Sequence, residues 1–137
     1  MNWVTQLTRD ELLNDIDAFR DNEEFLRVRD SYMRHAIESL DCELTERLLE
    51  TGANPMSLEL WGDDLLHSLA YEYISARTTK GSDIVRIMEM VLEYGADPNH
   101  VGQNNWRAID ICIEHNAHAL VDLLVKHGAS PRQREFI

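Results

Sequence analysis

Val91-Leu92-Glu93-Tyr94-Gly95-Ala96-Asp97-Pro98 is the stretch on which the reading of this chain turns. Two others share its pattern: Leu48-Leu49-Glu50-Thr51-Gly52-Ala53-Asn54-Pro55 and Leu124-Val125-Lys126-His127-Gly128-Ala129-Ser130-Pro131. Each runs from an apolar helix end into glycine, alanine, a small polar residue and proline. The chemistry is that of a helix stop. Glycine takes the left-handed backbone conformation that ends a helix, and the proline soon after keeps it from resuming. Gly95 and Gly128 are 33 residues apart, and Gly52 and Gly95 are 43 apart. The chain is therefore read as a repeat, with ten extra residues in its middle unit.

Working outward from the stops, apolar residues recur at intervals of three and four, which marks amphipathic helices and not strands. In the middle unit Leu65, Leu66, Leu69 and Tyr73 form one stripe, and Ile84, Ile87, Met88, Val91 and Leu92 a second. In the last unit Ile109, Ile113, Leu120, Val121 and Leu124 define two helices joined around Asn116-Ala117. The ten extra residues fall within Tyr71–Ser82, with Thr78-Thr79-Lys80-Gly81-Ser82 as a loop. Both helices of that unit are expected to be about a turn longer than is usual for such a repeat, with Ser82 or Asp83 capping the second. No such unit can bury its own apolar face, so neighbouring units must stack.

A period of ~33 residues with two helices per unit is similar to that of the ankyrin repeat, whose first helix opens with Thr-Pro-Leu-His-x-Ala. Asp64-Leu65-Leu66-His67-Ser68-Leu69-Ala70 resembles that opening in the middle unit, Ala108-Ile109-Asp110-Ile111-Cys112-Ile113 in the last, and Met33-Arg34-His35-Ala36-Ile37 in the first. The resemblance covers roughly residues 30 to 131. It implies an all-α solenoid of about three helix–turn–helix units with an N-terminal helical cap. Residues 1–29 would form the cap, 30–57 the first repeat, 58–100 the long second repeat, and 101–137 the third repeat and tail. His67 matches the family's turn-stabilising histidine. Arg107-Ala108 stands where the family has Thr-Pro, which removes a hydroxyl cap and predicts a looser helix start.

At the N-terminus, Thr8-Arg9-Asp10-Glu11 is a capping-box pattern and starts a helix through about Arg20, with Leu12, Leu13, Ile16 and Phe19 as its apolar face. A second helix begins after Asn22. Such a piece closes the hydrophobic end of a stack. At the other end, Phe136 and Ile137 either fold back or mark a contact with a second copy.

Composition narrows the function. A chain of 137 residues, 44% hydrophobic and 28% charged, fits one globular domain. No apolar run reaches the ~18–20 residues of a membrane helix, and no basic segment leads into an apolar run, so a cytosolic protein is expected. Cys42 and Cys112, far apart in apolar patterns, read as buried thiols. The net charge of −12 is uneven: residues 1–100 carry 21 acids against 9 bases, residues 101–137 four against four. Such a surface repels nucleic acid and speeds encounter with a basic protein.

Catalytic and metal-binding constellations find little support. Asp63 and Asp64 with Glu59 are three nearby carboxylates, but Asp64 takes a helix N-cap position and Asp63 points out of a loop. Cys112, His115 and His118 recur every three residues, yet the helix is expected to end near His115, turning His118 away. No catalytic residue, cofactor or metal ligand is assigned. Trp61 and Trp106 each precede a helix start. The ankyrin resemblance puts these loops on projecting fingers beside the inner helices, lining a concave binding surface. Carried over position by position, that surface comprises Leu60, Trp61 and Asp63, then Gln103, Asn104 and Trp106, then Tyr71, Glu72, Glu114 and His115. An exposed aromatic among carboxylates resembles a protein-binding hot spot. The expected function is protein binding without catalysis, in its most concrete form a small acidic inhibitor that occludes a basic partner, as toxin-immunity proteins do. The alternatives are a general adaptor, or, from another class, a metal-binding regulator or enzyme.

Overall fold

The computed structural model describes residues 8–54, 59–60, 63–75, 81–101 and 106–130. Among these the chain forms seven helices and one short hairpin. In chain order they are α1 (Arg9–Phe19), α2 (Glu23–Glu38), α3 (Cys42–Glu50), β1 (Glu59–Leu60), β2 (Asp63–Asp64), α4 (Leu65–Ile74), α5 (Gly81–Glu93), α6 (Ala108–Glu114) and α7 (His118–Lys126). The all-helical class is as the periodicity predicts.

Helix starts follow local chemistry. Thr8 caps α1 in a capping box with Glu11, and the Asn22 side chain accepts from Phe25 N–H at 3.0 Å to open α2. Asp41 does the same for α3, accepting from Leu44 N–H at 3.1 Å. Each of these oxygens satisfies a backbone donor that the helix itself leaves without a partner.

The stops behave as their sequences predict. Gly52, Gly95 and Gly128 have φ of +96°, +103° and +93°. Past two of them the chain closes back, Ala96 N–H donating to Val91 O at 3.0 Å and Ala129 N–H to Leu124 O at 2.9 Å. Two further helices end likewise on non-glycine residues. Leu40 (φ 55°) follows α2 and Asn116 (φ 57°) follows α6, with Asp41 N–H donating to Ala36 O and Ala117 N–H to Cys112 O, both at 2.8 Å.

Consecutive helices pair, α2 with α3, α4 with α5 and α6 with α7. Adjoining pairs stack: α3 packs on α1 and α5, α5 on α7, and α4 on α6. The repeat period is visible in the core. Leu48, Val91 and Leu124 hold the same place in α3, α5 and α7, and all three are fully buried. So are Leu44, Ile87 and Leu120, one turn earlier. Burying such a side chain contributes ~1.5–3 kcal/mol, so the stacked stripes account for much of the fold's stability.

Several details depart from expectation. Helix α2 is continuous from Glu23 to Glu38, so residues 29 and 30 lie inside one helix and not at a junction. Gly81 and Ser82 belong to α5, so Ser82 and Asp83 sit in its first turn and are not its cap. A Cβ at Gly81 would make ordinary contact with the Tyr73 ring at 3.4 Å. The middle helices run 10 and 13 residues, longer than the 7 and 9 of the last pair but shorter than the 16 of α2. Cys112 is buried, but Cys42 is only half-buried, its Sγ 3.7 Å from Asp83 O and Oδ1. It stands at the first position of α3, where the stack does not close over it. Residues 131–137, including Phe136 and Ile137, lie outside the described residues.

Polar ties bind the pairs together. Arg9 pairs with Asp41 and with Glu43 (3.2 Å), and Arg47 with Asp17 (3.0 Å), joining α1 to α3. Arg20 donates to Glu50 O and Arg29 to Thr51 O (2.9 Å), supplying donors to the end of α3. The Asn99 side chain donates to Gly128 O at 3.0 Å and accepts from Ser130 N–H at 2.8 Å.

Candidate functional site

The ends of α4 and α6 carry the exposed part of the surface expected to bind. Helix α4 reads Leu65-Leu66-His67-Ser68-Leu69-Ala70 and buries all six side chains. Its polar end then turns outward: Tyr71 is 48% exposed, and Glu72 beside it is exposed. On α6, packed against α4, Glu114 and the C-capping His115 are exposed as well. Four of the predicted residues are thus brought onto the ends of two adjoining helices, together with Ile113 at 41% exposure.

The finger residues divide differently. Leu60 and Asp63 are partners across the antiparallel β1–β2 pair, and Glu59 is the partner of Asp64, so the chain before α4 forms a hairpin. Trp61, Gln103 and Asn104 lie outside the described residues. Trp106 is partly exposed. It is half-buried and packed against the hydrophobic core, with its carbonyl oxygen 2.7 Å from Nε2 of the buried His67. That contact ties Trp106 to α4. His67, matched to a turn-stabilising position, ties one unit to the next.

The start of α6 is firmer than its sequence suggests. Arg107 provides no side-chain cap, but the buried Asp110 carboxylate accepts from Arg107 N–H at 2.9 Å, and the Arg107 guanidinium donates to Ser130 O at 2.7 Å. Asp110 stands where the middle unit has His67. The substitution of one hydrogen-bonding residue for another at this place explains why the missing Thr-Pro is tolerated.

A cleft of about 420 Å³, which the sequence did not signal, lies beside this surface. It is lined by Tyr73, Ile74, Ser75, Gly81, His115, Asn116 and Ala117. Tyr73 was expected in the core stripe and instead is half-buried on its wall. A second cleft of about 410 Å³ runs along α2 past Val28, Ser31, Tyr32 and His35. Asn116, in the joint between α6 and α7, lines the first and has a left-handed backbone (φ 57°).

Burial pushes the Cys112 thiol up to about 12, and burial with the nearby Asp83 charge raises that of Cys42, so neither is a ready nucleophile at neutral pH. Among the described residues no three His, Cys, Asp or Glu side chains converge as metal ligands. Cys112 is inside α6, His115 at its end and His118 at the start of α7. Among the described residues no helix is long and apolar enough to cross a membrane. No family model, curated protein or solved structure matches the chain.

Proposed function

We propose that this chain is a protein-binding module of the ankyrin-repeat type that docks a basic partner against the exposed ends of α4 and α6. The observation that carries this reading is the grouping of Tyr71, Glu72, Glu114 and His115 on two adjoining helices. An aromatic side chain that is half exposed beside carboxylates supplies both an apolar anchor and a charged surround. The net charge of −12 extends the attraction beyond contact distance and raises the rate of encounter with a cationic protein. In its most concrete form the module is an inhibitor. Its carboxylates stand in for the anionic ligand of a basic groove, as in a toxin-neutralising immunity protein made and kept in the cytosol.

The test is a tagged pull-down from the native host at low and high salt, with the captured protein then titrated in purified form. A basic protein held at low salt should lose affinity steeply as salt rises. Tyr71→Ala should weaken it about 10-fold or more, the effect of removing a central aromatic anchor. Glu72→Gln with Glu114→Gln should flatten the salt dependence. Binding that is indifferent to salt and to all three substitutions would sink the reading.

A further inference from the structure

The last helix repeats a stacking face that nothing among the described residues covers. Position by position, Thr45 on α3 corresponds to Met88 on α5 and Val121 on α7, and Leu49 corresponds to Leu92 and Val125. In the first two helices these side chains are buried, because α5 packs on α3 and α7 on α5. Leu49 is 1% exposed and Leu92 is 6%, but Val125 is 55% exposed, and Val121 is only partly buried. The companion helix α6 has the same property. Counting from the helix starts Leu65 and Ala108, Ile113 is the counterpart of Ala70, which is fully buried where Ile113 is 41% exposed. The final pair therefore presents the apolar residues that a further pair would bury.

We infer that this α6–α7 edge, centred on Val125 and Ile113, is a self-association surface that seats the same edge of a second copy. The charge distribution selects that occupant. Residues 1–100 carry 21 acids against 9 bases, so two copies meeting through any earlier unit bring like charges together. Among the described residues of this edge the charges that reach the surface are Glu114 and Asp122 against Lys126 and the partly exposed Arg107, so both signs are present in balance. A neutral apolar edge on an acidic molecule is the place where two copies approach at least electrostatic cost. An edge-to-edge pairing is also closed, using the same patch on both partners, and so stops at a dimer. Ile113 borders the surface that carries Tyr71 and Glu72, whereas Val125 lies on α7 and outside it, so Val125 reads this edge alone and the inference does not depend on the other face binding anything.

Sedimentation equilibrium over a concentration series tests it. The wild-type mass should rise from 15.9 kDa toward twice that value. Added salt, by screening the repulsion between two acidic chains, should strengthen the dimer, opposite to its effect on a basic partner. Val125→Glu should raise the dissociation constant at least tenfold, and Ile113→Glu should do the same. Both positions are solvent-exposed, and circular dichroism checks that each variant folds. Tyr71→Glu should leave the dimer intact. A wild type that stays monomeric throughout, or a folded Val125→Glu variant that dimerises unchanged, overturns the proposal.

Discussion

Gly95 sits at φ +103° with no heavy atom within 4 Å of where a Cβ would stand. An alanine there meets no neighbour, so its cost is that of the backbone conformation alone, ~1–2 kcal/mol. Gly81 gives the contrast. It lies in the first turn of α5 without a positive φ, and an added Cβ makes ordinary contact with Tyr73. Gly95→Ala should lower the thermal midpoint by several degrees, whereas Gly81→Ala should leave it unchanged or raise it slightly. Equal effects of the two in calorimetry would show that the left-handed turn is not what stops α5. The three glycine stops were legible because only glycine takes that conformation without strain. Leu40 was not legible in this way. An apolar residue does not advertise a left-handed backbone, and what holds it there is the Asp41 N–H bond to Ala36 O.

At the scale of an element, α6 is the instructive one. Its seven residues are too few to be stable alone, and its opening Arg107-Ala108 lacks a hydroxyl cap. The weakness predicted from those two residues is offset from within the helix, by Asp110 reaching back to Arg107 N–H. Asp110→Ala should cost about 1–2 kcal/mol and speed amide exchange across Arg107–Cys112, with Asp110→Asn intermediate. Exchange that stays uniform across the chain would mean α6 is held by packing alone. The fingers divide along similar lines. A tryptophan before a helix start is compatible with either an exposed or an inward position, and the sequence around Trp106 does not choose. The choice comes from His67, 39 residues earlier, and from the core that the two units share.

For the molecule as a whole, acidity is set against a few arginines that join α1 and α2 to α3. Burial works to raise the Asp41 carboxyl, but the hydrogen bond from Arg9, the Leu44 N–H and the Arg9 charge outweigh it, and the group is held below its ordinary value of 3.8. A depressed carboxylate stabilises the fold fully above its unfolded value, and that contribution disappears as pH falls through the folded one. Arg9→Met should therefore be less stable than the wild type at pH 6–7, and the gap should close as pH falls below about 4. Urea denaturation across that range checks it. A gap that persists at pH 2–3 would show that Arg9 acts by packing.

The all-helical class, the helix stops, the caps at Thr8 and Asn22, the paired apolar stripes and the long middle unit were all determined by the sequence alone. Each follows from backbone geometry or a periodicity of a few residues, and needs no knowledge of what lies across the core. The packing of Trp106 against the core, the capping of α6 by Asp110, the clefts on α4–α6 and α2, and the open edge at Val125 were decided only by the tertiary structure. Leu49, Leu92 and Val125 make the reason plain. They are similar residues at the same place in three similar helices, and their burial depends on whether another helix lies beyond them. That is a property of the stack, and no unit's own sequence encodes it.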